Sequence, residues 1–168
     1  MNTETSNDFL SEDVTAKPKL PSGLNVLTIL TFVGCAIELY NVVSNFLQGR
    51  KGIEELEKAQ EKLADAPAWA QKMAGPEIME MAKKAYENRL PLFIIGLIAV
   101  GLCLYGAIEM RKLKMQGYYM WLIGEILPWV CTIIFIGGVF FKTWIAFMMI
   151  IPIIFILLYT LQRKHLVK

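Results

Sequence analysis

The chain has 168 residues, 55% of them hydrophobic and 19% charged, with a formal net charge of +2. So small a net charge excludes a nucleic-acid partner held by a basic surface. Apolar residues gathered into long runs, instead of stripes, exclude an ordinary water-soluble helical domain, and the lack of any period-two alternation excludes a membrane β-barrel.

Residues 1–20 read as a disordered polar tail carrying Glu4, Asp8, Glu12 and Asp13. The tail lacks the basic start and apolar core of a cleavable signal peptide, so the first apolar run is expected to serve as an uncleaved signal-anchor. Four such runs follow, at residues 24–47, 90–110, 118–141 and 143–161. Each is close to the ~20 residues that cross a hydrocarbon core at ~1.5 Å of rise per residue. The expected fold class is all-α: a four-transmembrane-helix bundle over residues 21–168, with an amphipathic helical hairpin at 50–89 between helices 1 and 2.

In the first run, Thr31, Gly34, Glu38, Asn41 and Asn45 are spaced by three, four, three and four residues, which places them on one helical face. A carboxyl near the middle of a membrane helix is costly and normally faces a bundle interior. This stripe is therefore expected to turn towards the other helices, with Gly34 allowing close backbone approach. Between the first two runs, Ile53, Leu56, Ala59 and Leu63 recur at helical spacing until Ala66–Pro67 interrupts them. Gly75–Pro76–Glu77 is a second helix start, leading to an apolar face of Ile78, Met81, Ala82 and Ala85. Trp69 and Met73, between the two helices, are the candidate contacts for a partner or for lipid headgroups. Glu109 closes the second run and reads as an interfacial charge beside Arg111 and Lys112.

In the third run, Trp121, Glu125, Pro128 and Thr132 share a face, and Pro128 deprives the Gly124 carbonyl of its usual backbone donor. Counted from the start of each run, Glu38 is roughly 20 Å deep and Glu125 roughly 10 Å deep, so the two carboxyls are not expected to pair. Pro152 is expected to kink the fourth run. Cys35, Cys103 and Cys131 fall on three different runs without a CxxC motif and read as small apolar packing residues; no metal site and no cofactor is implied. The one histidine, His165, lies in a basic stretch after the fourth run, and Ser44 has no companion base within the runs. No nucleotide-binding, zinc-hydrolase or nucleophile-elbow motif is present, so the chain reads as non-enzymatic.

Orientation follows Lys and Arg beside the spans. Lys17 and Lys19, then Arg111, Lys112 and Lys114, then Arg163, Lys164 and Lys168 all fall on one side of a four-pass chain. The long first loop on the other side carries eight basic and eight acidic residues. Both termini are thus expected in the cytoplasm, in a cell inner membrane.

KPKLPSGLNVLTILTFVG (17–34) and MRKLKMQGYYMWLIGEILP (110–128) resemble stretches of certain small bacterial four-pass inner-membrane proteins of no assigned activity. That resemblance implies four spans and a short cytoplasmic central loop. GCAIELY (34–40) is similar to the glutamate-bearing first span of small multidrug-resistance exporters, which implies a proton-exchanging role for Glu38. The chain departs from that family in its forty-residue first loop, its acidic tail and its one-way charge bias. The expectation is an accessory, scaffold or self-associating component whose partners are the bilayer and either another membrane protein or a second copy. Its expected contact surfaces are the polar stripe with Thr31, Glu38, Asn41 and Asn45, the Glu125–Pro128 face and the 50–89 hairpin. The alternative is a proton-coupled carrier of small solutes or cations, with Glu38 as the proton- and substrate-binding carboxyl and Glu125 secondary.

Overall fold

A computed structural model describes residues 20–63, 65–73 and 75–167; the acidic tail, Lys17, Lys19 and Lys168 lie outside the described residues. The described chain is all-α. Its helices are α1 (Ser22–Lys62), α2 (Ala68–Met73), α3 (Pro76–Glu87), α4 (Arg89–Arg111), α5 (Met115–Ile136) and α6 (Ile150–Gln162), with short 3-10 turns around α6. Four stretches are long and apolar enough to cross a membrane: Ser22–Lys62, Arg89–Arg111, Met115–Lys142 and Ile145–His165.

The closest packing joins α4 to α5, and glycine makes it possible. A Cβ added at Gly117 would sit 2.5 Å from the Met110 nitrogen and 2.6 Å from the Gly106 oxygen. One added at Gly124 would sit 2.7 Å from Cys103 Sγ and 2.9 Å from the Ala99 oxygen. The two backbones therefore meet directly, as small residues permit between membrane helices. The hairpin turns at Leu113, which takes a left-handed φ of 60°. This turn lets Leu113 bury its side chain while its carbonyl accepts a 2.7 Å hydrogen bond from the Val167 amide.

Helix α1 lies along α4. Val42 fills the space over Gly96, and the Phe46 and Phe93 rings stack at 4.3 Å. Near the start of α1, Leu24, Leu27, Thr28, Thr31 and Cys35 are buried. There α6 completes the core: the Tyr159 ring packs on Trp121 at 4.3 Å, and both residues are 1% exposed. The tight core thus gathers where α1 and α5 begin and where α4 and α6 end.

The first apolar run ends where expected: the helical stretch Ser22–Lys62 is two helices broken at Gly49 (φ 36°, ψ −106°), between residue 47 and the amphipathic segment. Only glycine takes that backbone geometry without a Cβ clash. Two other features differ from those expected. The third run is not α-helical to residue 141. Gly137 (φ 79°) ends α5, and 3-10 turns at Gly137–Lys142 and Trp144–Met149 follow. A left-handed glycine is a common helix stop. Pro152 kinks nothing, because α6 begins at Ile150 and the proline lies in its first turn, where a missing amide donor costs no helical bond.

Gly117→Leu should therefore lower stability by about 1–3 kcal/mol through overpacking. A Cβ at Gly34, by contrast, would meet nothing within 4 Å, so Gly34→Ala should stay within about 0.5 kcal/mol of the parent. Unfolding titrations in mixed micelles measure both, and equal losses at the two glycines would contradict the close α4–α5 approach.

Candidate functional site

The expected polar stripe of α1 does not turn inward as a unit. Thr31 is buried and its hydroxyl lies 2.7 Å from the Tyr159 hydroxyl. Gly34 faces open space, so it brings no second backbone close. Glu38, Asn41 and Asn45 are exposed. Helix geometry explains the difference. The line of α1 that meets α4 and α6 passes through Thr28, Thr31, Cys35, Val42 and Phe46, and it follows the neighbouring helices instead of the polar pattern.

Glu38 and Asn45 nevertheless share one feature, a half-open slot of about 480 Å³ between α1, α3, α4 and α5. Glu38, Gly96 and Pro128 line its inner end, while Gly52, Ile53 and Met81 line the other. Asn41 is not among its lining residues and stays on the outer surface of α1. Glu38 forms no hydrogen bond or ion pair with any described residue.

Glu125 is half-buried, with its Oε2 4.0 Å from the Cys103 thiol. The three cysteines are free. Val42 lies over Gly96 and Cys103 lies against Gly124. Helices α1 and α4 run antiparallel, so seven residues back on one and seven on along the other set Cys35 level with Cys103, and both level with Gly124 on α5. Glu38 lies three residues past Cys35 and Glu125 one past Gly124, so the carboxyls differ by only about 3 Å along the helix axes. Among the described residues, no hydrogen bond joins them. The expected separation in depth fails because it assumed that the apolar runs begin in one plane, whereas the register is fixed where the helices touch.

At the end where α4 meets α5, Glu109 is not an ordinary interfacial charge. It is 4% exposed and receives Lys112 Nζ at 2.6 Å and Lys114 Nζ at 2.7 Å. Arg111 turns away from it to donate to Asn25 Oδ1 at 2.9 Å and Thr28 Oγ1 at 3.1 Å. The Arg163 guanidinium lies over the Tyr118 and Tyr119 rings and donates to the Tyr119 hydroxyl at 3.2 Å. Basic residues that report orientation in the sequence therefore also tie α1 to the α4–α5 turn. Trp69 is exposed, and the side chain of Met73 lies outside the described part of the structure. Tyr159 had no motif to mark it, although a lone tyrosine late in an apolar run was its only signal. Among the described residues, no three His, Cys, Asp or Glu side chains are placed to hold a metal ion.

No family model, curated protein or solved structure matches the chain.

Two measurements follow from this geometry. In a double-mutant cycle, Thr31→Val with Tyr159→Phe should return a coupling of about 1 kcal/mol; additive losses would mean the bond is not formed. The hydrogen bond to Glu109 holds the Lys114 ammonium above the ordinary lysine value, which is about 10.4. A cation that binds its proton more tightly when folded stabilises the fold fully below the unfolded-state value, and that stability is lost as pH rises through the raised one. Lys114→Gln should therefore melt earlier than the parent at pH 7, and the gap should close at strongly alkaline pH. A gap constant with pH would assign the loss to packing.

Proposed function

We propose that the chain is a multi-pass integral membrane protein without enzymatic activity that works by associating with a further membrane helix surface, first of all that of a second copy. In this reading, residues 21–168 form a four-helix membrane domain, the segment at 50–89 is an extramembrane hairpin, and both termini face the cytoplasm across the inner membrane. The likeness to small bacterial four-pass proteins fits this arrangement.

One observation carries the proposal. In the single chain, Glu38, Asn41 and Asn45 stand exposed along a helix whose other outward residues, Ile37, Leu39 and Val43, are apolar. Hydrocarbon penalises uncovered polar groups, and asparagine side chains hydrogen-bonding across helices are a common way to satisfy them. A two-fold packing of α1 against α1 would pair the stripe with itself. Asn41, which lies off the slot, should be the central contact.

The experiment is disulfide trapping of Asn41→Cys in native membranes, in a background with Cys35, Cys103 and Cys131 replaced by Ala or Ser. A homodimer-sized band supports self-association, and a larger band of defined composition supports the accessory role. A monomer at every expression level overturns both. Asn41→Ala should weaken association about fivefold, in line with ~1 kcal/mol for one interhelical polar contact.

The near-equal depth of Glu38 and Glu125 favours a second reading, a proton-coupled carrier of small solutes or cations with Glu38 as the exchanging carboxyl. Proteoliposomes that acidify only with the parent, and not with Glu38→Gln, would favour it. Equal proton flux in both would remove it.

A further inference from the structure

The slot has one more property. Its lining follows α1 from Glu38 to the bend at Gly49, about 16 Å at helical rise, and continues past the bend to Ile53. One leaflet of a hydrocarbon core is about 15 Å deep. The space is therefore a channel long enough to run from a membrane interface to the bilayer centre. Its volume of about 480 Å³ lies within the range of small-molecule sites but is drawn out along that length. Apolar side chains such as Val42, Phe46, Leu92, Phe93 and Ile136 form most of its wall.

Its outer part carries a cation. Arg89, the first residue of α4, lines the slot and holds its guanidinium 4.9 Å above the Tyr86 ring, with Nη1 beside Gly49. Among the described residues no carboxylate pairs with it. Of the neighbouring basic residues, Arg50 pairs with Glu54, Lys83 with Glu57 and Lys84 with Glu80, while Lys51 has no such partner among the described residues either but does not line the slot. The bend at Gly49 matters here, because a straight α1 would not bring the Gly49–Ile53 stretch over Tyr86 and Arg89.

We propose that this slot binds an anionic membrane phospholipid, with one acyl chain along the apolar wall towards Glu38 and the phosphate on Arg89. A guanidinium offers a phosphate two parallel donors, and the half-open side leaves the second chain in the bilayer. Zwitterionic lipids present the same chain but offset the phosphate with their own ammonium, so charge selects between them. The inference rests on the membrane placement proposed above and is independent of self-association.

The test is native mass spectrometry of the full chain released from mixed micelles containing either phosphatidylglycerol or phosphatidylcholine with identical chains. Phosphatidylglycerol should be retained in preference. Arg89→Gln should weaken its binding about tenfold, the scale of a hydrogen-bonded charge contact, while Lys51→Gln, a basic residue outside the slot lining, should leave it unchanged. Ala85→Leu, which fills the slot, should displace both lipids; Ala82→Leu replaces it if that variant does not unfold cooperatively. Equal retention of the two lipids, or equal losses in Arg89→Gln and Lys51→Gln, would overturn the site. Displacement by inorganic phosphate alone would overturn the role of the chain. Tighter binding of an alkyltrimethylammonium ion that is lost in Glu38→Gln would assign the slot to a cation instead. Extraction of the protein by alkaline carbonate would refute the membrane placement itself, so that failure is distinct from failure of the lipid site.

Discussion

Backbone contact between α4 and α5 sets the rest of the structure. At Gly106, Gly117 and Gly124 there is no room for a Cβ, since one added at Gly106 would lie 2.5 Å from the Trp121 nitrogen. Two helices that approach this closely cannot slide past one another without a clash, so their axial register is fixed. That register sets the level of Cys103 against Gly124, and Val42 packed over Gly96 sets the level of α1 against α4. In a membrane, where lipid tails are as apolar as leucine, such van der Waals packing replaces the hydrophobic effect as the source of association.

The two ends of the molecule are consequently packed differently. Where α4 turns into α5, Trp121, Tyr159, Leu24 and Met110 are sealed in, and the Glu109 carboxylate pairs with two lysines beneath the turn. Further along, α5 stops at Gly137 and the chain passes through 3-10 turns before α6 resumes. Beyond the level of Cys35 the slot opens between α1, α3, α4 and α5, beside the buried Cys131 and Ile136.

Polar groups divide along the same lines. Those at the end where α4 turns into α5 are satisfied within the chain: Thr31 by Tyr159, Tyr118 by Thr160 and Arg111 by Asn25 and Thr28. Those beyond it, Glu38, Asn41 and Asn45, are exposed. Three exposed polar residues on an otherwise apolar face are what both the proposed self-association and the proposed lipid slot draw on.

The existence, length and apolar character of the four long stretches were legible in the sequence, because they follow from local composition. So were the helix start at Pro76 and the shared helical spacing of Thr31, Glu38 and Asn45, since period and propensity act within a few residues. The face that α1 buries was not legible, because spacing groups residues on a helix without saying which neighbour they meet. Nor was the equal depth of Glu38 and Glu125, which depends on where glycines let separate backbones touch. Periodicity is a property of one helix; register is a property of two, and only the tertiary contacts at Gly96, Gly117 and Gly124 decide it.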